Sequence, residues 1–81
     1  MTPTEAVLTL LATRAADATI CPSEAARRLA AAAGRDDWRG EMAAVHAAVD
    51  TLVAERRVAL SWKGAALPAR AGPYRIGHPP R

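Results

Sequence analysis

Apolar residues recur at helical spacing in three stretches of the chain and alternate in a fourth near its end. Thr2-Pro3-Thr4-Glu5 reads as a capping box with proline at the first helical position, and Val7, Leu8, Leu11, Ala12 and Ala15 follow it. That pattern predicts a first helix over 3–16. Leu10 falls on the opposite side from Leu8 and Leu11, so this helix is apolar nearly all round and Leu10 is expected to point outward. Next comes a very short strand-like piece, with Ile20 the lone large apolar residue before a helix cap. Cys21 stands at N-cap, Pro22 at the first helical position and Glu24 at the third, where a carboxylate suits the positive end of the helix. A second helix over 22–33 turns Pro22, Ala26, Leu29, Ala30 and Ala33 inward and Glu24, Arg27, Arg28 and Ala31 outward, and Gly34 is placed to stop it. A third, over 37–56, takes its cap from Asp36 or Asp37 and carries the core stripe Trp38, Met42, Val45, Val49, Leu52 and Val53. Residues 58–62 alternate like a strand, 63–73 form a hairpin loop, and Tyr74-Arg75-Ile76 return as the partner strand.

The order helix–strand–helix–helix–strand–strand is that of a winged helix. The expected fold is therefore α+β, three helices plus a small antiparallel sheet with a C-terminal β-hairpin wing. One domain over 1–77 is expected, followed by a flexible tail at 78–81, where His78-Pro79-Pro80-Arg81 cannot continue a sheet. The 81 residues are 51% hydrophobic, but 21 of them are alanine, which leaves 19 large apolar side chains and no phenylalanine. The core is thin for a free-standing domain. Close packing of alanine-rich helices, or a partner subunit, makes up the difference.

Three blocks of residues carry a family resemblance: Ile20-Cys21-Pro22-Ser23-Glu24 with Ala26-Arg27 and Leu29, Trp38-Arg39 with Met42 and Val45, and Lys63-Gly64 with Gly72-Pro73-Tyr74-Arg75-Ile76. On them the chain resembles a bacterial winged-helix family catalogued as domain of unknown function 3253. The resemblance spans essentially the whole chain. It implies a winged-helix fold and supplies no activity or catalytic residue. His46 departs from it by standing where a second arginine is expected, and Leu67-Pro68-Ala69 replaces Val-Asp-Pro.

The net charge of +3, with ten of the eleven basic residues arginine, permits DNA or another polyanion as partner without demanding it. One cysteine excludes an internal disulfide and fits a reducing compartment. No apolar run reaches the length of a membrane span, and the N-terminus lacks a basic, hydrophobic signal pattern, so a soluble, cytoplasmic bacterial protein is expected. Cys21 at a helix N-terminus has the position of a nucleophile or redox sensor. The reading preferred is a half-buried N-cap cysteine that packs as a small hydrophobe beside Ile20, and a catalytic role needs a base that His46 and His78, on another helix and in the tail, are not placed to give. The set Cys21, His46 and His78 has no metal-ligand spacing. With no paired carboxylates, triad or phosphate loop, neither an enzyme nor a cofactor is expected.

Two functional readings compete. In the first the chain binds nucleic acid with little sequence specificity, with Arg27, Arg28, Arg39, His46, Lys63, Arg70 and Arg75 on phosphates. Base-edge readout by the third helix is poor, because Gly40, Ala43, Ala44, Ala47, Thr51 and Ala54 occupy its outer face. In the second that smooth face, with Leu10, Ala43, Ala47 and Thr51, is a homodimer or protein interface.

Overall fold

The computed structural model describes residues 1–80. Helix α1 (Pro3–Ala12) starts at the capping box: Thr2 Oγ1 accepts from the Glu5 N–H at 3.1 Å, and the Glu5 carboxylate accepts from the Thr2 N–H at 2.9 Å. It stops four residues short of the expected end. The Thr13 hydroxyl donates to the Leu10 carbonyl at 2.7 Å and its N–H to the same oxygen at 3.1 Å, which closes the last turn before Arg14. Strand β1 (Thr19–Ile20) then leads into α2 (Pro22–Ala32), where Glu24 accepts from the Cys21 N–H at 2.7 Å. Gly34 ends α2 as expected, left-handed at φ 70°, with the Arg35 N–H reaching the Ala30 carbonyl at 2.8 Å.

The third helical region is split. A 3-10 turn (Arg39–Glu41) precedes α3 (Met42–Ala54), so Trp38 lies ahead of the α-helix rather than on its stripe. The Asp37 carboxylate accepts from the Gly40 N–H at 3.3 Å and caps this tighter turn instead of an α-helix. Helix α3 ends in the same hydrogen-bond pattern as α2, with Arg56 at φ 59° where α2 has its glycine.

All four strands pair antiparallel in the order β1–β4–β2–β3, with β2 at Ala59–Trp62, β3 at Ala65–Leu67 and β4 at Arg75–Gly77. The expected long hairpin loop over 63–73 is corrected. Its first residues form a two-residue turn, Lys63 at φ 50° and Gly64 at φ 81°, that pairs Trp62 with Ala65. Two successive positive φ values match the twist of the flanking strands, so β3 folds back on the outer edge of β2. Residues 68–74 then cross to β4 on the other side.

The core joins α1, α2, α3 and one face of the sheet through Val7, Leu11, Ile20, Leu29, Val45, Val49, Leu52, Leu60 and Ile76, with Trp38 and Met42 packed against its rim. Leu10 belongs to it too, at 8% exposure, which corrects the outward placement. Helix α1 packs against α2, α3 and β1, so more than one of its sides is covered and Leu10 has no solvent face to occupy. Arg81 of the expected tail lies outside the described residues, and His78 is half-buried. Among the described residues no helix is long and apolar enough to cross a membrane.

Candidate functional site

The junction of α2 with the 3-10 turn gathers two arginines on one aromatic ring. Arg27 lies on the outer face of α2, away from Leu29 and Ala30, and Arg39 opens the turn next to Trp38. Their guanidinium carbons stand 4.6 Å and 4.5 Å from the centre of the Trp38 ring. The indole is half-buried against the core, so it is a fixed platform that holds two flexible cations in an exposed position. Arg28 is exposed beside Arg27. Arg27, Arg28, Arg39 and Lys63 form no ion pair among the described residues, whereas Arg14, Arg35, Arg57 and Arg70 pair with Glu24, Glu41, Glu55 and Asp50.

Lys63 is exposed at the tip of the β2–β3 hairpin. Its left-handed backbone is one that asparagine or glycine adopts at least cost, and a lysine there carries local strain.

The other three basic residues of the nucleic-acid set are engaged inside the fold. His46 Nδ1 shares a 2.6 Å hydrogen bond with the Tyr74 hydroxyl. One turn along α3, Asp50 receives both Nε and Nη2 of Arg70, at 2.7 and 2.9 Å, a fork-on-fork pair that lays the 68–74 crossing against α3. Arg75 donates to Thr19 Oγ1 at 2.7 Å and to the Thr19 carbonyl at 3.2 Å, across from β4 to β1. The charges follow this wiring. Burial, with Arg70 nearby, pushes His46 below the usual histidine value, while Asp50 raises it less. The hydrogen bond from Arg70 lowers Asp50, and burial lifts the Tyr74 phenol to about 12.

Ala43, Ala44, Ala47, Thr51 and Ala54 are exposed along α3, and the Thr51 hydroxyl is turned back to the Ala47 carbonyl at 3.3 Å. Ala43, Ala47 and Thr51 of the proposed interface thus share an open face, from which Leu10 is absent. Cys21 is half-buried with its Sγ 3.1 Å from Ser23 Oγ. Among the described residues no group of three or more His, Cys, Asp or Glu side chains is placed to hold a metal ion.

One exposed aromatic escaped the reading of the sequence. Trp62 is 38% exposed at the end of β2, beside Lys63. The signal for it was the Trp-Lys-Gly run at a strand end, while alternation gives only that Trp62 lies on the same side as Leu60.

The family model described as protein of unknown function (DUF3253) matches residues 2–79, and the chain belongs to that family. No curated protein matches the chain.

Proposed function

We propose that this member of the DUF3253 family is a winged helix that binds nucleic acid through phosphate contacts with little sequence specificity, with Arg27, Arg28, Arg39 and Lys63 as the principal contacts. The element order and the antiparallel sheet ending in the β2–β3 hairpin support the winged-helix reading. The observation that carries the functional reading is the Arg27–Trp38–Arg39 cluster. Two cations held over one fixed ring, with no ion pair to a carboxylate among the described residues, suit an anionic chain running past the start of α3. Low specificity follows from the outer face of α3, whose alanines offer no hydrogen bond to a base edge. His46, Arg70 and Arg75 leave the principal set because each already has a partner within the fold. A single unpaired cysteine suits work in a reducing, cytoplasmic setting.

The test is affinity for duplex and single-stranded DNA across a salt series. Four phosphate contacts give a slope of about −3.6 in log affinity against log salt on duplex, at roughly −0.9 per contact. Replacing Arg27, Arg28, Arg39 and Lys63 with alanine flattens the slope without altering sequence preference. Undetectable binding of both ligands at low salt overturns the proposal.

A further inference from the structure

Trp62 is the large aromatic side chain that the core leaves out. Along β2 it shares the helix-facing side with Leu60, yet Leu60 is 3% exposed and Trp62 is 38% exposed. The pairing explains the difference. Leu60 is flanked by Leu67 on β3 and Ile76 on β4, whereas Trp62 has Ala65 across from it on β3. On the other side, one step beyond the Ser61–Arg75 pair, stands Tyr74, which is buried and held by His46 of α3. Helical cover therefore reaches Tyr74 and thins out at Trp62. The tight turn that follows puts the Lys63 ammonium on the next residue and fixes its backbone in the left-handed region.

We propose that Trp62 is a stacking platform for an unpaired nucleobase, with Lys63 on the adjoining phosphate, so that the ligand taken by this hairpin is single-stranded nucleic acid. The inference rests on the nucleic-acid reading above and narrows it to a substrate class. Bases of a duplex are already stacked on their neighbours, and an exposed indole adds nothing to them unless a base leaves the stack. An unpaired base gains a partner, whatever its identity. Trp38 does not compete for this role, because Arg27 and Arg39 already stand over its ring. The occupant is set by charge: the residue next to the indole is a lysine without an ion pair among the described residues, in a chain of net charge +3. The low specificity proposed for α3 agrees with a contact made by stacking, since every base has a face while few present the same edge.

The experiment compares the full chain and its Trp62→Ala and Trp62→Phe variants on a thymidine oligonucleotide and on a blunt duplex at one low salt concentration. Circular dichroism of each variant serves as the control for folding. Trp62→Ala is expected to weaken single-strand binding roughly 5- to 150-fold, the range for loss of one stacked base, and to leave duplex binding unchanged. Trp62→Phe, which keeps an aromatic face, retains most of the single-strand affinity, while the part of the indole emission quenched by the oligonucleotide disappears. Equal losses on both ligands, or no loss on the single strand, overturn the stacking role. Wild-type protein that binds neither ligand overturns the parent reading, and that result is seen before any variant is made.

Discussion

The Tyr74 hydroxyl and His46 Nδ1, 28 residues apart in the chain, meet at 2.6 Å with their rings tilted by 55°. This bond ties the entry of β4 to the middle of α3. One helical turn on, the Asp50–Arg70 pair does the same for the crossing that leads to Tyr74. Together they hold residues 68–74 along the flank of α3.

Tyr74→Phe keeps the ring and removes the bond, leaving His46 Nδ1 unpaired in a half-buried position. A loss of about 1 kcal/mol is expected, which in a domain of this size lowers the melting midpoint by about 4–8 °C. Urea unfolding at neutral pH measures it, and an unchanged midpoint shows that the bond adds nothing to stability.

The same two groups make stability depend on pH from opposite sides. His46 has its folded pKa depressed by burial and Arg70, so its contribution is full above the ordinary value near 6.5 and is lost as pH falls below it. Tyr74 is raised from 10.0 to about 12, so its contribution is full below 10 and is lost between 10 and 12. Thermal melts across this range are expected to fall on both sides. His46→Gln should flatten the acid limb and Tyr74→Phe the alkaline one, and limbs that survive these changes assign them to other groups.

Arg56 and Lys63 both occupy the left-handed region, at φ 59° and 50°, and separate stability from binding. Arg56→Gly is expected to stabilise the chain by about 0.5–1 kcal/mol, since glycine sheds the left-handed cost but adds freedom to the unfolded chain. It leaves nucleic-acid affinity unchanged. Lys63→Gly relieves similar strain but weakens single-strand binding and reduces the single-strand salt slope by roughly 0.7. Equal effects of both changes on binding argue against a special role for Lys63.

Leu10 and Ala47 were both expected at an oligomer interface, and only Ala47 is exposed. Leu10→Ala opens a hole in the core and is expected to cost about 2–5 kcal/mol. Ala47→Arg lies on the exposed side of α3, so stability stays within about 0.5 kcal/mol. Light scattering at high concentration decides whether this face pairs copies of the chain. A wild-type dimer broken by Ala47→Arg supports the interface, and a wild-type monomer removes it.

The starts of α1 and α2 and the stop at Gly34 were legible in the sequence, because each depends on residues within one turn: Thr2 with Glu5, Cys21 with Glu24, and a glycine where the chain turns left-handed. Alternation at Ala59–Trp62 and the order of elements carried the α+β arrangement for the same local reason. The burial of Leu10 was decided by neighbours from α2, α3 and β1, which close around a helix whose own periodicity shows no outer face. Lys63-Gly64 hid a tight turn because lysine is a poor signal for positive φ, and only the pairing of β2 with β3 holds it there. The cations divide in the same way. Charge and helical spacing mark Arg27, Arg28 and Arg39 as outward, but Asp50 meets Arg70 from 20 residues away and Thr19 meets Arg75 from 56, distances that no local pattern spans. Trp62 shows the same limit at the sheet. Its side of β2 follows from alternation, while its exposure depends on where the helices above it end, which the packing of the whole chain decides.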